Sequence, residues 1–178
     1  MIAVISDSHV PDRSPGIPQE FQEILEKADE VIHCGDFETE EFYQKLDREY
    51  GLLAAVRGNC DFFDLPQSQI LEFGDLDVGV YHGTGINPRG HKPTLADIAE
   101  NKLEVDVLLS GHTHHQRAVR HEGSILLNPG SCTGVGGGSA RRGNPEMMTL
   151  ELEEGKLEVE LTVLDDGEVL KEEKEFEA

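Results

Sequence analysis

Five short polar clusters, each directly after an apolar, strand-like run, constrain the fold of this chain more than any other feature. An open α/β sheet gathers its loops outside the carboxyl ends of its strands, so residues far apart in sequence meet there. The clusters therefore predict that seven side chains with oxygen or nitrogen donors share one sheet edge. The five clusters are Asp7-Ser8-His9, Gly35-Asp36, Gly58-Asn59-Cys60-Asp61, Tyr81-His82-Gly83 and Gly111-His112-Thr113-His114.

The spacing of apolar residues predicts the class of fold. Up to residue 56, apolar, strand-like runs alternate with segments whose apolar residues have helical spacing. This alternation favours a parallel sheet that is buried on both faces. Beyond residue 70, a hairpin-like pair, one helix and several short strands follow. The predicted strands cover residues 2–6, 31–34, 52–56, 70–73, 76–81, 105–109, 117–121, 124–127, 147–152 and 157–164, and the predicted helices cover residues 20–27, 38–49 and 94–103. We predict an α/β fold of two packed sheets with helices on their outer faces.

Two further expectations concern the ends of elements and of the chain. Thr94 lies in the expected N-cap region of the third helix, because its hydroxyl can accept a hydrogen bond from the first turn. The chain is expected to form one domain over residues 1–178. Its acidic C-terminal segment, about 167–178, is expected to be either a final edge strand or a frayed tail.

Charge limits the partners of the protein. Its 15 Lys and Arg stand against 36 Asp and Glu, a net charge of −21. Binding to long nucleic acids requires many cations, so none is expected as a partner. A local basic patch of Arg89, Lys92, Arg141 and Arg142 keeps a short nucleotide open as a ligand. The acidic surface is interpreted as solubilising, with adaptation to a salt-rich cytoplasm, as in a halophile, as the sharper hypothesis.

Cysteine usage and hydropathy indicate a cytoplasmic protein. The three cysteines are odd in number and lack the spacing of a disulfide framework or zinc site, so free thiols are expected. No apolar run approaches the roughly 18 residues of a membrane span, so no membrane partner is expected. The N-terminal residues are typical of a first strand rather than of a signal peptide.

Each polar cluster has an ordinary structural interpretation when taken alone. Asp-x-His and Gly-Asp are common turns, Asn59 tolerates a left-handed conformation, and an isolated His82 is more often a core histidine. His112 and His114 are stronger candidates, because alternate residues of an extended segment point to the same side. All five clusters together favour one site, and seven donors without thiolates suit two divalent ions that share a carboxylate.

In this order, the clusters resemble the calcineurin-like metallophosphoesterase superfamily. The Arg57–Asp61 sequence and the Asn128–Ser131 segment resemble its small prokaryotic phosphodiesterase branch, and the likeness extends to about Leu164. The resemblance implies a four-layer αββα sandwich with two mixed sheets. It also implies hydrolysis of small phosphodiesters by attack of a metal-bridging hydroxide. Related small phosphoesterases are often oligomeric, so a homo-oligomer is compatible with it.

The resemblance also implies a ligand set for two ions that share Asp36. The donors suit Mn²⁺, Ni²⁺, Fe²⁺, Co²⁺ or Zn²⁺, with Mn²⁺ or Ni²⁺ as the first candidates. One ion would be held by Asp7, His9, Asp36 and His114, and the other by Asp36, Asn59, His82 and His112.

Other residues have weaker predicted roles. Arg57, Asn128 and Ser131 are candidate substrate-binding residues, although Arg57 is equally well explained by a salt bridge and Asn128 by a turn. Cys60 occupies the position where many superfamily members carry a histidine. A thiol with a typical pKa of about 8.5 is a poor acid for this role, so Cys60 is expected to pack rather than to donate a proton. Asp61 is expected either to position a ligand or to cap the helix-like turn beyond it.

Two other functional classes stay open from the sequence. The same superfamily fold resembles that of a retromer scaffold subunit, which works through protein interaction and would be expected to have degraded ligand positions. A phosphomonoesterase or nuclease is the second alternative. The acidic surface argues against the nuclease.

Overall fold

Eleven strands form two mixed β-sheets in the part of the chain that the computed structural model describes, residues 1–138 and 141–177. The strands are β1 (Ile2–Ile5), β2 (Glu30–His33), β3 (Leu52–Ala55), β4 (Ser68–Phe73), β5 (Leu76–Tyr81), β6 (Val107–Leu109), β7 (Gln116–His121), β8 (Ser124–Pro129), β9 (Glu146–Glu153), β10 (Lys156–Asp165) and β11 (Glu168–Glu177). The helices are α1 (Gln19–Leu25), α2 (Glu40–Tyr50) and α3 (Lys92–Ile98), and a π-helical turn over Ala99–Leu103 continues α3.

Both sheets contain three adjacent parallel strands that have antiparallel strands beside them. The six-stranded sheet has the order β11-β10-β9-β1-β2-β3, with β1, β2 and β3 parallel and the other pairs antiparallel. The five-stranded sheet has the order β4-β5-β6-β8-β7, with β5, β6 and β8 parallel. This arrangement confirms the predicted pair of mixed sheets, and it gives each sheet three parallel strands whose carboxyl ends lie at one edge.

Alternation along each strand builds the layers. Ile2 and Val4 of β1 face the core between the sheets, which β5, β6 and β8 close from the other side. Ala3 and Ile5 point the other way and pack against α1 and α2, where Phe21 is fully buried. Successive strand residues point to opposite faces, so a strand buried on both sides is apolar throughout. On the far side, α3 covers the second sheet, and helices therefore flank both sheets.

The helix ends follow local chemistry, with one difference from the sequence prediction. The Thr39 hydroxyl caps α2 by accepting a hydrogen bond from the Phe42 N–H at 3.3 Å. The third helix begins at Lys92 rather than near Thr94, with His91 at the N-cap. Pro93 explains the earlier start, because proline has no N–H to leave unpaired in the first turn of a helix.

The C-terminal segment forms an edge strand, which is one of the two predicted alternatives, rather than a frayed tail. Strand β11 pairs with β10 from Asp165↔Glu168 to Lys156↔Glu177, while Ala178 lies outside the described residues. Phe176 anchors β11 by packing against the core between the sheets. Among the described helices, none is long and apolar enough to span a membrane.

Candidate metal centre

The polar clusters converge where the two sheets meet, at the carboxyl ends of β1, β2, β3, β5 and β6. Two groups of donor atoms arise there, and within each group the atoms lie within 4.8 Å of one another. The first group is Asp7, His9, Asp36 and His114, and the second is Asp36, His82 and His112. All six of these residues are buried.

Asp36 belongs to both groups and lies between them. Its Oδ2 is 3.5 Å from His9 Nε2 and 3.5 Å from His82 Nε2, while its Oδ1 accepts the Cys60 N–H at 2.7 Å. Asp7 Oδ1 lies 3.2 Å from His114 Nε2. The carboxylates thus face imidazole nitrogens across gaps that a cation bound to both sides would fill.

Three imidazoles are oriented by acceptors at their Nδ1 atoms. His9 Nδ1 lies 2.7 Å from Glu38 Oε2, and His82 Nδ1 lies 2.7 Å from the Cys34 carbonyl. His114 Nδ1 is bonded to the Val135 carbonyl. An imidazole that donates from Nδ1 keeps its lone pair on Nε2, the arrangement of metal-ligating histidines.

The Nε2 atoms of His9 and His82 provide the test of whether the residues fit metal ions. Both atoms are buried, and neither has a hydrogen-bond partner among the described residues. A buried polar atom without a partner is costly, and native proteins rarely leave one so. Each Nε2 faces the Asp36 carboxylate, and in the neutral form of the ring it carries the lone pair that would bind a cation placed between the two groups. The donor set therefore fits divalent ions.

The backbone is strained at the donor residues. Asp7, His9, Asp36, His112 and His114 have φ between 47° and 67°. This left-handed region is uncommon for residues with a Cβ, although Asp and His are enriched among the exceptions. Such conformations cost about 1–3 kcal/mol each and persist where surrounding contacts enforce them, often at functional sites.

Asp61 supplies much of that enforcement. Its buried carboxylate accepts four backbone N–H groups at 2.8–3.0 Å, from Asp36, Phe37, Glu38 and Gly58. The carboxylate thereby fastens the loop after β2 to the loop after β3. This geometry agrees with the positioning role expected for Asp61 from the sequence.

Close approach of the loops explains two of the glycines. A Cβ on Gly58 would lie 2.1 Å from Asp36 Oδ1 and 2.3 Å from its backbone nitrogen. A Cβ on Gly111 would lie 2.1 Å from Ser6 Oγ and 2.8 Å from Asp7 Oδ2. Only glycine lets these backbones pass so near the carboxylates.

The charges of the centre shift the pKa values of its members. Burial opposes charge on Asp36, but the neighbouring His82 and the Cys60 N–H outweigh it and hold the Asp36 pKa well below its usual value. Burial also opposes charge on His82, yet Asp36 and Asp7 raise the His82 pKa to about 9. Burial, with the charge of His82 as a smaller cause, lowers the pKa of His112 to about 4. The two carboxylates thus create a field that attracts cations.

The remaining predicted residues lie around the donors. Asn59 is exposed and its amide donates to Cys60 Sγ at 3.3 Å, while Arg57 is exposed beside it. Asn128 and Ser131 are buried and bond to the loops from below: Asn128 Nδ2 donates to the Gly111 carbonyl at 2.7 Å, and Ser131 Oγ donates to the Asp7 carbonyl at 2.8 Å. These bonds give Asn128 and Ser131 a supporting contact with the donor loops.

Cys60 packs beside the donors. Burial, followed by the charge of Asp36, raises the Cys60 pKa to about 12. Its thiol therefore stays protonated at neutral pH, which makes it a poor proton donor in this pH range.

Sequence reasoning missed two supporting contacts. Glu38 orients His9 from two residues beyond Asp36, and no motif distinguishes it from the many other acids. His33 Nε2 lies 3.0 Å from Ser8 Oγ, which in turn donates to the Asp36 carbonyl at 3.3 Å. The buried His33 therefore connects the ends of β1 and β2 beneath the centre.

Comparison with known proteins agrees with this geometry. A Methanocaldococcus jannaschii protein named as a probable metallophosphoesterase is 39% identical over 133 residues, which are 75% of this chain and 68% of that protein. Vps29 from Entamoeba histolytica, solved as a complex with Zn²⁺, is 32% identical, covers 98% of both chains and has a TM-score of 0.86. Vacuolar protein sorting 29 from Cryptosporidium parvum is 25% identical over 99% of this chain and 97% of that one, with a TM-score of 0.91.

The family model of the calcineurin-like phosphoesterase superfamily domain matches residues 1–155. This match includes every residue of the two donor groups and both parallel regions of the sheets. The recognition made from the polar clusters is confirmed, and the chain belongs to the calcineurin-like phosphoesterase superfamily.

Proposed function

We propose that this chain is a phosphodiesterase that depends on two divalent metal ions and hydrolyses small phosphodiesters. The observation that carries the proposal is the pair of donor groups that share Asp36, with two buried Nε2 atoms facing its carboxylate. Asp7, His9, Asp36 and His114 would hold one ion. Asp36, His82 and His112 would hold the other, with Asn59 completing the set, and Mn²⁺ or Ni²⁺ are the first candidates.

When bound by these residues, two such ions would supply an acidified water and would neutralise negative charge on the phosphate oxygens. The residues of this chain contribute geometry and proton control. Glu38, Cys34 and Val135 orient the three imidazoles through Nδ1. Asp61 holds the Asp36 loop in its strained conformation through four N–H groups.

The protonated thiol of Cys60 favours diesters with good leaving groups. Because its pKa is raised to about 12, the Cys60 thiol is a weak acid and a poor proton donor near neutral pH. An alkoxide leaving group would then have to depart without protonation from this position. Esters whose leaving group has a low pKa need no such help, so we expect them to be turned over fastest.

A scaffold function is the second candidate, and the similarity to two Vps29 proteins is the observation that favours it. A scaffold would use the loop edge as a protein-binding surface and need no turnover. The presence of all six buried donors argues for the enzyme, because a binding surface does not require buried carboxylates that face imidazoles.

The decisive experiment measures hydrolysis of bis-p-nitrophenyl phosphate by metal-stripped protein after each of Mn²⁺, Ni²⁺, Co²⁺, Zn²⁺ and Mg²⁺ is restored alone. We expect activity to return with metal in the wild type and to fall to background in Asp36→Asn and His112→Ala. A p-nitrophenyl phosphate arm tests the diester preference, and equal or faster monoester turnover would refute it.

Metal binding is measured separately by native mass spectrometry, which reads the number of bound ions without turnover. Two bound ions without hydrolysis of either ester would favour the scaffold. Size-exclusion chromatography with light scattering on the same samples tests the homo-oligomer that the resemblance allows. We further propose a cytoplasmic location, which is consistent with three free cysteines.

A further inference from the structure

A cavity of about 430 Å³ opens beside the metal centre at Asn59. Its walls come from the loop after β3 and from the end of β5 with the loop beyond it. It is lined by Arg57, Gly58, Asn59, Gln67, Tyr81 and Thr84. Among the described residues, no carboxylate lines the cavity, although the chain carries 36 Asp and Glu, and one guanidinium does. The cavity is thus a locally cationic, polar space in a strongly acidic protein.

Arg57 is held in place within this wall. Its backbone N–H donates to the Pro66 carbonyl at 2.8 Å, and its Nε donates to the Asp61 carbonyl at 3.2 Å. Both contacts are made within the loop after β3, so hydrogen bonds hold Arg57 at its backbone and at its side chain. Asp61, in turn, is the residue whose carboxylate fastens this loop to Asp36.

The guanidinium of Arg57 forms no ion pair with the described residues. The salt bridge that the sequence left open as its explanation is therefore not found. With Nε directed at a carbonyl, the two terminal nitrogens still carry N–H groups that can donate. A guanidinium with parallel donors matches phosphate and carboxylate oxygens in a bidentate way.

The opposite wall is polar and anchored. The Tyr81 hydroxyl donates to the Thr84 carbonyl at 2.7 Å, which leaves its oxygen able to accept a hydrogen bond. Gln67 is exposed at the rim and offers both a donor and an acceptor. These groups suit a ligand that has hydrogen-bonding substituents, such as a sugar, rather than a purely apolar one.

Resting on the proposed function, we propose that this cavity binds one ester substituent of the substrate and that Arg57 binds a second anionic group on that substituent. The reacting phosphate lies at the metal centre, and Asn59 belongs both to the proposed ligand set and to the cavity wall. The substituent attached to that phosphate therefore enters the cavity, where Arg57 is the only lining cation among the described residues. The substrate class is a phosphodiester that carries a further phosphate or carboxylate.

The test compares three chromogenic diesters that differ only in the sugar substituent. They are the p-nitrophenyl ester of thymidine 5′-phosphate, the same ester with a 3′-phosphate, and the same ester with a 3′-O-succinyl group. Hydrolysis breaks the bond between phosphorus and the p-nitrophenyl oxygen, water supplies the new oxygen on phosphorus, and p-nitrophenolate leaves. The measured quantity is kcat/KM for each charged ester divided by kcat/KM for the plain ester.

We expect the wild-type ratio to be about tenfold or more for a charged ester, the size of a charge-assisted hydrogen-bond pair. Arg57→Gln should bring this ratio close to one, and Arg57→Lys should restore part of it, because lysine keeps the charge but not the fork. The phosphate and succinate arms distinguish the two anions. Arg48→Gln, an exposed arginine in the last turn of α2, is the matched control and should keep the wild-type ratio.

A wild-type ratio near one for both charged esters would overturn the inference while leaving the phosphodiesterase intact. An equal ratio in Arg57→Gln and the wild type would overturn it as well. If no ester is hydrolysed with any metal, the proposed function fails, and calorimetric binding of thymidine 3′,5′-bisphosphate against thymidine 5′-phosphate decides the inference. Tighter binding of the bisphosphate that is lost in Arg57→Gln supports the cavity assignment, and equal binding refutes it.

Discussion

The metal centre and the C-terminal β10–β11 hairpin handle charge in opposite ways. At the metal centre, carboxylates are buried and each has defined partners, as in the four N–H groups on Asp61. In the hairpin, the side chains of β11 are almost all exposed, and its charges are hydrated. At the metal centre, strained backbone conformations hold the charged groups in place. In the hairpin, the backbone is a regular strand and the charged side chains are solvated.

The hairpin even aligns like charges. Glu158 of β10 stands directly opposite Glu151 of β9 on one side and Glu175 of β11 on the other. Directly opposed like charges destabilise a sheet. Two of the three have a cation near them: Glu175 pairs with Lys156 at 2.7 Å, and Glu151 lies 4.0 Å from the N-terminal ammonium. Glu158 has no ion pair among the described residues.

The difference teaches where a lost charge matters. Removing a buried carboxylate leaves the N–H groups that donate to it without partners. The free energy of unfolding then falls by the full desolvation cost of those N–H groups. Removing an exposed carboxylate from a like-charge row relieves repulsion that solvent already screens. The same chemical change should therefore destabilise the first region strongly and stabilise the second slightly.

The largest effect is expected for Asp61→Asn. The new amide offers its NH₂ group to N–H donors, so at least one half of the four-bond arrangement becomes repulsive. We expect the free energy of unfolding to fall by about 3 kcal/mol or more, because hydrogen bonds to a charged group are worth about 1.5–3 kcal/mol each. Urea denaturation measures the stability, and native mass spectrometry measures the accompanying loss of bound metal.

Asp64→Asn is the control for this prediction, since Asp64 is an exposed acid of the same loop. It should change the stability by less than about 0.5 kcal/mol. Equal midpoints for the two variants would contradict the fastening role of Asp61.

A purely steric change comes next in size. Gly58→Ala places a Cβ against the Asp36 carboxylate and backbone nitrogen, so the Asp36 loop must move. Overpacking of this kind costs about 1–3 kcal/mol, and the displaced carboxylate should weaken metal binding as well. Gly16→Ala is matched to it, because no atom of the described residues, apart from those of its two chain neighbours, lies within 4 Å of the added Cβ. Thermal unfolding of the two variants, with and without metal, should separate them clearly.

Glu38→Gln tests whether the orientation of the His9 ring matters, because it changes the partner of His9 Nδ1 but removes none of the candidate metal ligands. Glu38 accepts the His9 Nδ1–H, and a neutral amide would hold the ring less firmly. Loss of such a supporting partner typically lowers metal affinity about 10–100-fold. Competition with a fluorescent chelator measures the affinity. Glu41→Gln, on the exposed side of α2, should leave it unchanged, and an unchanged affinity in Glu38→Gln would contradict the orientation role.

The sequence was sufficient for the paired sheets and for the convergence of six of the seven candidate donors. The spacing of the apolar residues predicted the paired sheets and their helices, because an element that is buried on one or both faces needs apolar residues at the positions that face the core. The polar clusters predicted which residues converge, since parallel strands share an edge. Asp61 was also foreseen as a positioning residue from its place in the Gly-Asn-x-Asp cluster.

Other features could not be read from the sequence. Glu38 and His33 support the centre through contacts made only after folding, and each resembles any other acid or core histidine in the chain. The left-handed conformations of five donor residues carry no sequence signature, because they are imposed by neighbouring loops. The early start of α3 at Lys92 is a different case, because Pro93 is a local sequence signal that the prediction based on Thr94 left out.

The smallest predicted effect concerns the hairpin and has the opposite sign. Glu158→Gln removes the central charge of the Glu151–Glu158–Glu175 row and should raise the free energy of unfolding by about 0.2–1 kcal/mol at low salt. Glu160→Gln removes the same charge from the same strand but breaks the 2.8 Å pair with Lys171, so it should be neutral or destabilising. In about 1 M KCl the Debye length falls to about 3 Å, and the two variants should converge. Convergence would show that the difference between the two variants at low salt is electrostatic. A difference that persists at high salt would mean that side-chain packing, not charge, sets the stability of this hairpin.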